Sequence, residues 1–456
     1  MNPVMRLTLF ILMASLSGPV AHAYPIDGYA DTGIRRVEGA RLAQEGLIGG
    51  SKQPPGALLT TEQVDLRLLD HKGLELPEPD PAFTAQVLKL LGGDAGSYGV
   101  AVLDLSKLDS PRYAEHRGDY RQNVGSVAKV IVALGLFQAL ADIWPDDTGQ
   151  RIRVLKDTVV TADAFSQSDH HKMRIFDVEN RKLTRRTMRI GDQGSLWEYL
   201  DWTLSVSSNS AAAMTMREVM LLRQYGKEYP PPEEEIKRFF KETPAKELTA
   251  LFQRSFFEPI TRNGLDLENL RQGSFFTRQG KQQVNGGGNS YGTARQLMLF
   301  SLRMEQGRLV DEFSSRQIKR LLYMTERRIR YASSPALKDS AVYFKSGSLY
   351  SCREEEGFTC KPYAGNRKNY MNSVAVVESP AGDHQLHYIS TLVSNVLRRN
   401  SAVEHQTMAT RIHRLIEKAN PAAKPAAVIP SPPDRARVQQ VPPATSPPVS
   451  PPQGPQ

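Results

Sequence analysis

The chain has 456 residues, 40% hydrophobic and 23% charged, and 58 Lys plus Arg against 49 Asp plus Glu give it a formal net charge of +9. These proportions exclude a uniformly disordered chain, a collagen and a multi-span membrane protein. The excess of base allows weak attraction to anionic polymers, but no RNP-type strand, zinc-finger spacing or recognition-helix pattern accompanies it. The stretches RKLTRR and Met324 to Arg330 therefore read as a solvated basic face, and no specific nucleic-acid partner is expected.

Residues 1–23 carry one base, Arg6, then the apolar run Leu7 to Leu16 and the small-x-small triplet Ala21, His22, Ala23. That is the layout of a signal peptide, so the protein is expected to be exported to the periplasm or beyond, starting at Tyr24. No cysteine follows for lipid attachment, and no later segment reads as a transmembrane span. Residues 24–94 form an amino-terminal extension that ends in a stiff link with Pro77, Pro79 and Pro81.

The main folded body is placed at 95–420. It opens with a strand over SYGVAVLDLS, followed by a buried helix in VGSVAKVIVALGLFQALADI. The segment 151–180 looks irregular or partly helical, and the next helical pattern is interrupted by a Ser/Asn cluster near Ser207. A helical insertion occupies about 225–285, where Pro230 to Pro232 and Glu233 to Glu235 can start a helix. An apolar helix begins near Thr293, and AVYFKSGSLY, NSVAVVES and HQLHYISTLVSNVL read as neighbouring strands before a terminal amphipathic helix. The expected fold class is α/β (α+β): an antiparallel sheet with flanking helices, shared by both ends of the chain, plus a mainly helical subdomain. The last 36 residues, 421–456, hold 12 of the 30 prolines and read as a PPII-like or disordered tail, a spacer or a ligand for an envelope partner.

The two cysteines, Cys352 and Cys360, are eight positions apart, and in an oxidising compartment such a pair closes a local disulfide loop. Two cysteines without a nearby histidine make a poor zinc site. His170 and His171 have no regularly spaced ligand set and read as structural; Trp197 and Trp202 fit helix packing.

Three short motifs carry chemistry. Ser126 and Lys129 lie one helical turn apart, so a lysine held in a dry pocket can take the proton of a serine nucleophile. Ser207-Ser208-Asn209 breaks the helical pattern, and Lys345-Ser346-Gly347 lies on a late strand. Together S-x-x-K, S-x-N and K-[ST]-G, in this order, resemble the signature of penicillin-binding proteins and serine β-lactamases. The nearest likeness is to the class A β-lactamase-like branch, over about Tyr98 to Lys418.

The resemblance implies roles residue by residue. Ser126 would be the acylated nucleophile, Lys129 its proton acceptor, Ser207 the relay to the leaving nitrogen and Lys345 the strand cation that assists it. Asn209 would contact the substrate amide or Lys129; Ser346, Gly347 and Ser348 would contact substrate, Gly347 by letting it lie close to the strand, and the backbone N–H groups of Ser126 and Ser348 would hold the oxyanion. Neither a metal nor a cofactor is required. One departure stands out: class A enzymes carry a deacylating glutamate on a loop before the helix that resembles TARQLMLF, yet no acidic residue occurs between Glu268 and Glu305. Glu242 and Glu258 are the nearest alternatives, and Gln279, Gln282 and Gln283 can position water but not deprotonate it. The expected function is a serine hydrolase cleaving D-alanyl peptide bonds of peptidoglycan stem peptides. A β-lactamase with a relocated deacylation base is the alternative, and a catalytically weak cell-wall binder the third reading.

Overall fold

The computed structural model describes residues 26–421 except Met324, Glu326 and Arg327. The expected signal peptide and, beyond Pro421, the proline-rich tail lie outside the described residues.

Five strands form one antiparallel sheet in the order Arg112–His116, Tyr98–Asp104, Leu386–Asn395, Lys368–Ser379, Ala341–Ser351. Strands from both ends of the chain meet at its centre. Alternation sends Val100 and Val102 to one face and Ala101 and Leu103 to the other, and both faces are covered. One packs on Phe83, Val87 and Leu91 of the helix Pro81–Leu91 and on Met408, Ile412 and Ile416 of the terminal helix Ser401–Ala419. The other packs on the helical body. Burial on both faces explains why these strands read as nearly continuous apolar runs.

The helix Pro81–Leu91 starts where Asp80 Oδ1 accepts from the N–H groups of Ala82 and Phe83, with Pro81 in the first turn. The alternating prolines thus end in a helix cap, and residues 81–91 pack with the sheet although the sequence assigns them to the extension. The rest of the extension is bound to the body by ion pairs, a hydrogen bond and burial of Ile34, Val37, Leu59, Val64 and Leu68 in the same core. Arg35 and Arg36 pair with Glu198 and Asp201, Arg67 pairs with Glu378, and the Tyr323 hydroxyl donates to the Gly56 carbonyl at 3.0 Å.

In the helical body, Lys129–Ile143 is buried over its first twelve residues. The stretch Gly125–Ile143 is long and apolar enough for a membrane span by length and composition, contrary to the sequence expectation, but most of it is buried inside the protein. Its apolarity serves core packing. The helix Leu196–Leu204 opens on a capping box of Ser195 and Glu198, and Asn209–Tyr225 opens on Ser208, whose Oγ accepts from the Ala211 N–H. Segment 151–180 holds most of the helix Thr148–Asp157 and one strand of a ribbon, Met173–Asp177 paired with Lys182–Arg186. The insertion is helical at Glu233–Glu242, Ala245–Phe256, Glu258–Arg262 and Arg278–Gln283.

Candidate active site

Ser126 lies in a 3-10 turn, Gly125–Ala128, that runs directly into the buried helix at Lys129. The turn is pressed against the edge strand. A Cβ on Gly347 would come 2.1 Å from the Val124 carbonyl oxygen and 2.6 Å from the Ser126 nitrogen, so only glycine permits the approach. Gly347 therefore admits the backbone of Ser126, where the sequence assigned it to substrate. Gly125, at φ 54°, lies near Ser348, though less tightly: a Cβ there would be 3.2 Å from its nitrogen. The backbones of Gly125–Ser126 and Gly347–Ser348 are thus in close contact.

Lys129 is wholly buried. Its Nζ donates to Ser126 Oγ at 3.1 Å, to the Ser207 carbonyl at 2.6 Å and to Asn209 Oδ1 at 2.7 Å. Each partner is neutral, so no negative charge in direct contact offsets the loss of hydration. Burial brings its pKa down to about 7, with Asp169 acting in the opposite sense. A lysine that is substantially unprotonated near neutrality can accept the proton of a serine 3.1 Å away.

Ser207 occupies the left-handed region at φ 63°, a conformation costing roughly 1–3 kcal/mol for a residue with a Cβ. The strained turn points its hydroxyl between two lysines: Lys345 Nζ donates to Ser207 Oγ at 2.9 Å, and Lys129 Nζ lies 3.3 Å from it. Burial holds Lys345 well below its ordinary value, and the charges of Lys129 and Arg330 add to the effect. The hydroxyl can thus pass a proton towards a leaving group and be resupplied from either side.

The cavity containing Ser126 has a volume of about 530 Å³. At one end Arg330 Nη1 donates to Ser346 Oγ at 2.8 Å and Nη2 to Ser348 Oγ at 3.0 Å, with the guanidinium over the Tyr363 ring. Two hydroxyls beside a guanidinium and Lys345 make a receptor for a carboxylate. Arg330 comes from the stretch read as a solvated basic face. That reading fails: Arg330 faces the cavity, and Arg328 is inside, donating to the carbonyls of Leu337, Gly56 and Ser340. Past the cavity mouth the same strand leads to a disulfide between Cys352 and Cys360.

Ser126, Lys129, Ser207, Asn209 and Lys345 come within hydrogen-bonding distance of one another beside one cavity. Three further groups on the site do not announce themselves in sequence. Phe276, just before the helix Arg278–Gln283, sets its ring 4.6 Å from Lys129 Nζ. Asp169 is almost wholly buried at the start of the helix Asn209–Tyr225; its Oδ2 accepts from the N–H groups of Asn209 and Ser210 and from Ser208 Oγ. Burial alone would raise this carboxyl, but His171 and the amides of Ser210 and His171 hold it well below the usual range. His170 and His171, read as structural, both line the Ser126 cavity. By contrast, Glu242 and Glu258 lie on the insertion helices, Gln282 and Gln283 are exposed, and none of these, nor Gln279, lines the cavity. Trp197 and Trp202 are core residues, as expected.

The sequence profile described as the β-lactamase enzyme family matches residues 82–399. No curated protein matches the chain. Among solved structures, a mutant of PBP-A captured as its acyl-enzyme complex with penicillin G is 14% identical over 76% of this chain and 100% of its own, with a TM-score of 0.45. A β-lactamase from Sphaerobacter thermophilus is 14% identical over 75% of this chain and 97% of its own, at a TM-score of 0.47. One from Xanthomonas campestris is 15% identical, covering 73% and 96%, at 0.45. With more than two thirds of its length matched by that profile, the chain belongs to the β-lactamase enzyme family, as a serine hydrolase with the penicillin-recognising fold.

Proposed function

We propose that the protein is an exported serine β-lactamase that acylates itself at Ser126 and clears the ester with a water-activating group outside the usual loop. The observation that carries the acyl-enzyme reading is the cluster of Ser126, Lys129, Ser207 and Lys345 in one cavity with a carboxylate receptor at its end. The family match supports this reading over the peptidase that the sequence puts first.

In the proposed reaction Lys129 takes the Ser126 proton as Oγ attacks the lactam carbonyl. The amides of Ser126 and Ser348 hold the oxyanion, Asn209 and Ser346 contact the substrate, and Ser207 protonates the departing nitrogen, resupplied by Lys345 or Lys129. The substrate carboxylate sits against Ser346, Ser348 and Arg330. The bonded cysteine pair suits an oxidising compartment, which agrees with export.

A second reading, a D-alanyl peptidase that forms a slowly cleared penicillin adduct, is favoured by Phe276 beside Lys129 where a carboxylate would serve deacylation. A mass-resolved time course with a penicillin, beside Ser126→Ala, tests both. The β-lactamase reading expects an adduct on Ser126 that clears with release of hydrolysed drug. A persistent adduct selects the peptidase, and no adduct leaves only a cell-wall binder.

A further inference from the structure

The ring against Lys129 is that of Phe276, and no acidic side chain is among the described residues lining the cavity, so a base for deacylation would have to be one of its other polar groups. Among the described residues lining that cavity, His170 and His171 are the side chains of the right chemical type besides the lysines. They differ in how they are held. His171 Nδ1 lies 2.6 Å from Asp169 Oδ1, and the His171 backbone N–H donates to the same oxygen at 3.1 Å. Asp169 is in turn fixed by Ser208, Asn209 and Ser210.

A carboxylate locked to a helix start and bonded to Nδ1 fixes the tautomer: the proton sits on Nδ1 and Nε2 carries the lone pair. His170 stacks on His171 at 4.4 Å between ring centroids and limits its rotation. Asp169 is bonded through the loop to Asn209, whose Oδ1 accepts from Lys129. The imidazole and the nucleophile's lysine therefore share one scaffold.

We propose that His171 is the general base of deacylation and that Asp169 is its positioning residue. This rests on the acyl-enzyme reading of the site. In the step, a water oxygen bonds to the ester carbonyl carbon while its proton passes to His171 Nε2. The tetrahedral adduct then collapses, the bond to Ser126 Oγ breaks, and the imidazolium proton returns to Oγ by way of Lys129, releasing the carboxylic acid. Water is consumed, Ser126 is regenerated and no other reactant is needed.

The electrostatics agree with the geometry. Burial draws His171 below its ordinary value, Asp169 opposes this, and Lys129 and His170 reinforce it, so the ring is a neutral acceptor at pH 7. The other charged groups facing the cavity are Lys172, Arg185, Arg330 and Lys345, all cationic and all acting in the same direction. Asp169, His170 and His171 could also be grouped as metal ligands, but both oxygens of Asp169 are already accepting hydrogen bonds.

The test compares the full chain with His171→Gln and Asp169→Asn, measuring acylation by a penicillin and clearance of the adduct separately from pH 5 to 8, with and without EDTA. The expected result is acylation within a few-fold of wild type but clearance slowed about 100-fold in His171→Gln. Wild-type clearance should fall as pH drops through the His171 value, and the variant should lose that dependence. Normal acylation certifies that the variant is folded, and Asp169→Asn should slow clearance without abolishing its pH dependence. Equal clearance in wild type and His171→Gln overturns the proposal and leaves the acyl-enzyme reading intact. A wild-type adduct that never clears overturns both His171 and the β-lactamase reading, absence of any adduct removes the acyl-enzyme itself, and loss of wild-type clearance in EDTA replaces the base with a metal.

Discussion

Among the described residues, two lysines, Lys129 and Lys319, are completely removed from water, and they are treated in opposite ways. Lys129 is surrounded by a hydroxyl, a carbonyl and an amide oxygen, and burial lowers it to about 7. Lys319 lies under the same edge strand, its Nζ 4.4 Å from the Tyr343 ring, but sits between Glu305 at 2.8 Å and Glu378 at 2.7 Å. Burial would raise Glu378; Lys319, His384 and Arg67 outweigh it and hold that carboxyl well below its usual range. Tyr343 and Lys345 are two residues apart on one face of one strand, so the fold places a charge-compensated centre and an uncompensated one side by side. The first makes a structural clamp, and the second is the base of the proposed reaction.

The contrast can be broken from either side. The largest effect belongs to Ser126→Ala, which should abolish the penicillin adduct and lower turnover by roughly a million-fold with unfolding unchanged, read by mass spectrometry and denaturant titration. Next, Lys129→Met should cost about 100- to 10,000-fold in acylation with little loss of stability. Lys319→Met should do the reverse, destabilising by about 3–5 kcal/mol because two buried carboxylates lose their partner. If Lys319→Met abolished acylation while the fold stayed as stable as wild type, the division of labour would be wrong.

pH sharpens the comparison. As pH rises through about 7 Lys129 becomes neutral, so the acylation rate should climb and level off above that value. For stability, its folded value lies below the ordinary 10.5, so between those limits the unfolded chain binds more protons and stability rises with pH; Lys129→Met should flatten that rise. Glu378 responds at the other end. Its folded value lies below 4.5, so the stability it contributes is present above that pH and is lost as pH falls towards the folded value. The smallest effect is expected from replacing both Cys352 and Cys360 by serine, at most about 2–3 kcal/mol for so short a loop, followed by denaturant titration.

The sheet strands and the three motifs were legible because each is local: alternation, helical spacing and a Ser-x-x-K turn are written in adjacent residues. What surrounds them was not. Asp169, His171, Phe276 and Arg330 stand on irregular segments whose positions depend on long-range contacts, such as the Thr277 hydroxyl donating to the Phe165 carbonyl. Arg330 had a signal of its own, a left-handed backbone at φ 54°, but only the fold reveals it. The helix Pro81–Leu91 was missed for a different reason. Its proline-rich approach was taken for a linker, although Asp80 followed by Pro81 is also a helix start.

The bonds between the extension and the body bear on how the molecule can be trimmed. The stretch shared with the β-lactamase enzyme family begins at residue 82. A chain cut there loses the Asp80 cap, the Asp65 carbonyl that accepts from Lys319 and the Arg67 guanidinium beside Glu378. It also loses Gly56, whose carbonyl accepts from both Tyr323 and Arg328. A piece that starts at residue 82 thus bears the three motifs but leaves Lys319, Tyr323, Arg328 and Glu378 short of partners that the whole chain supplies.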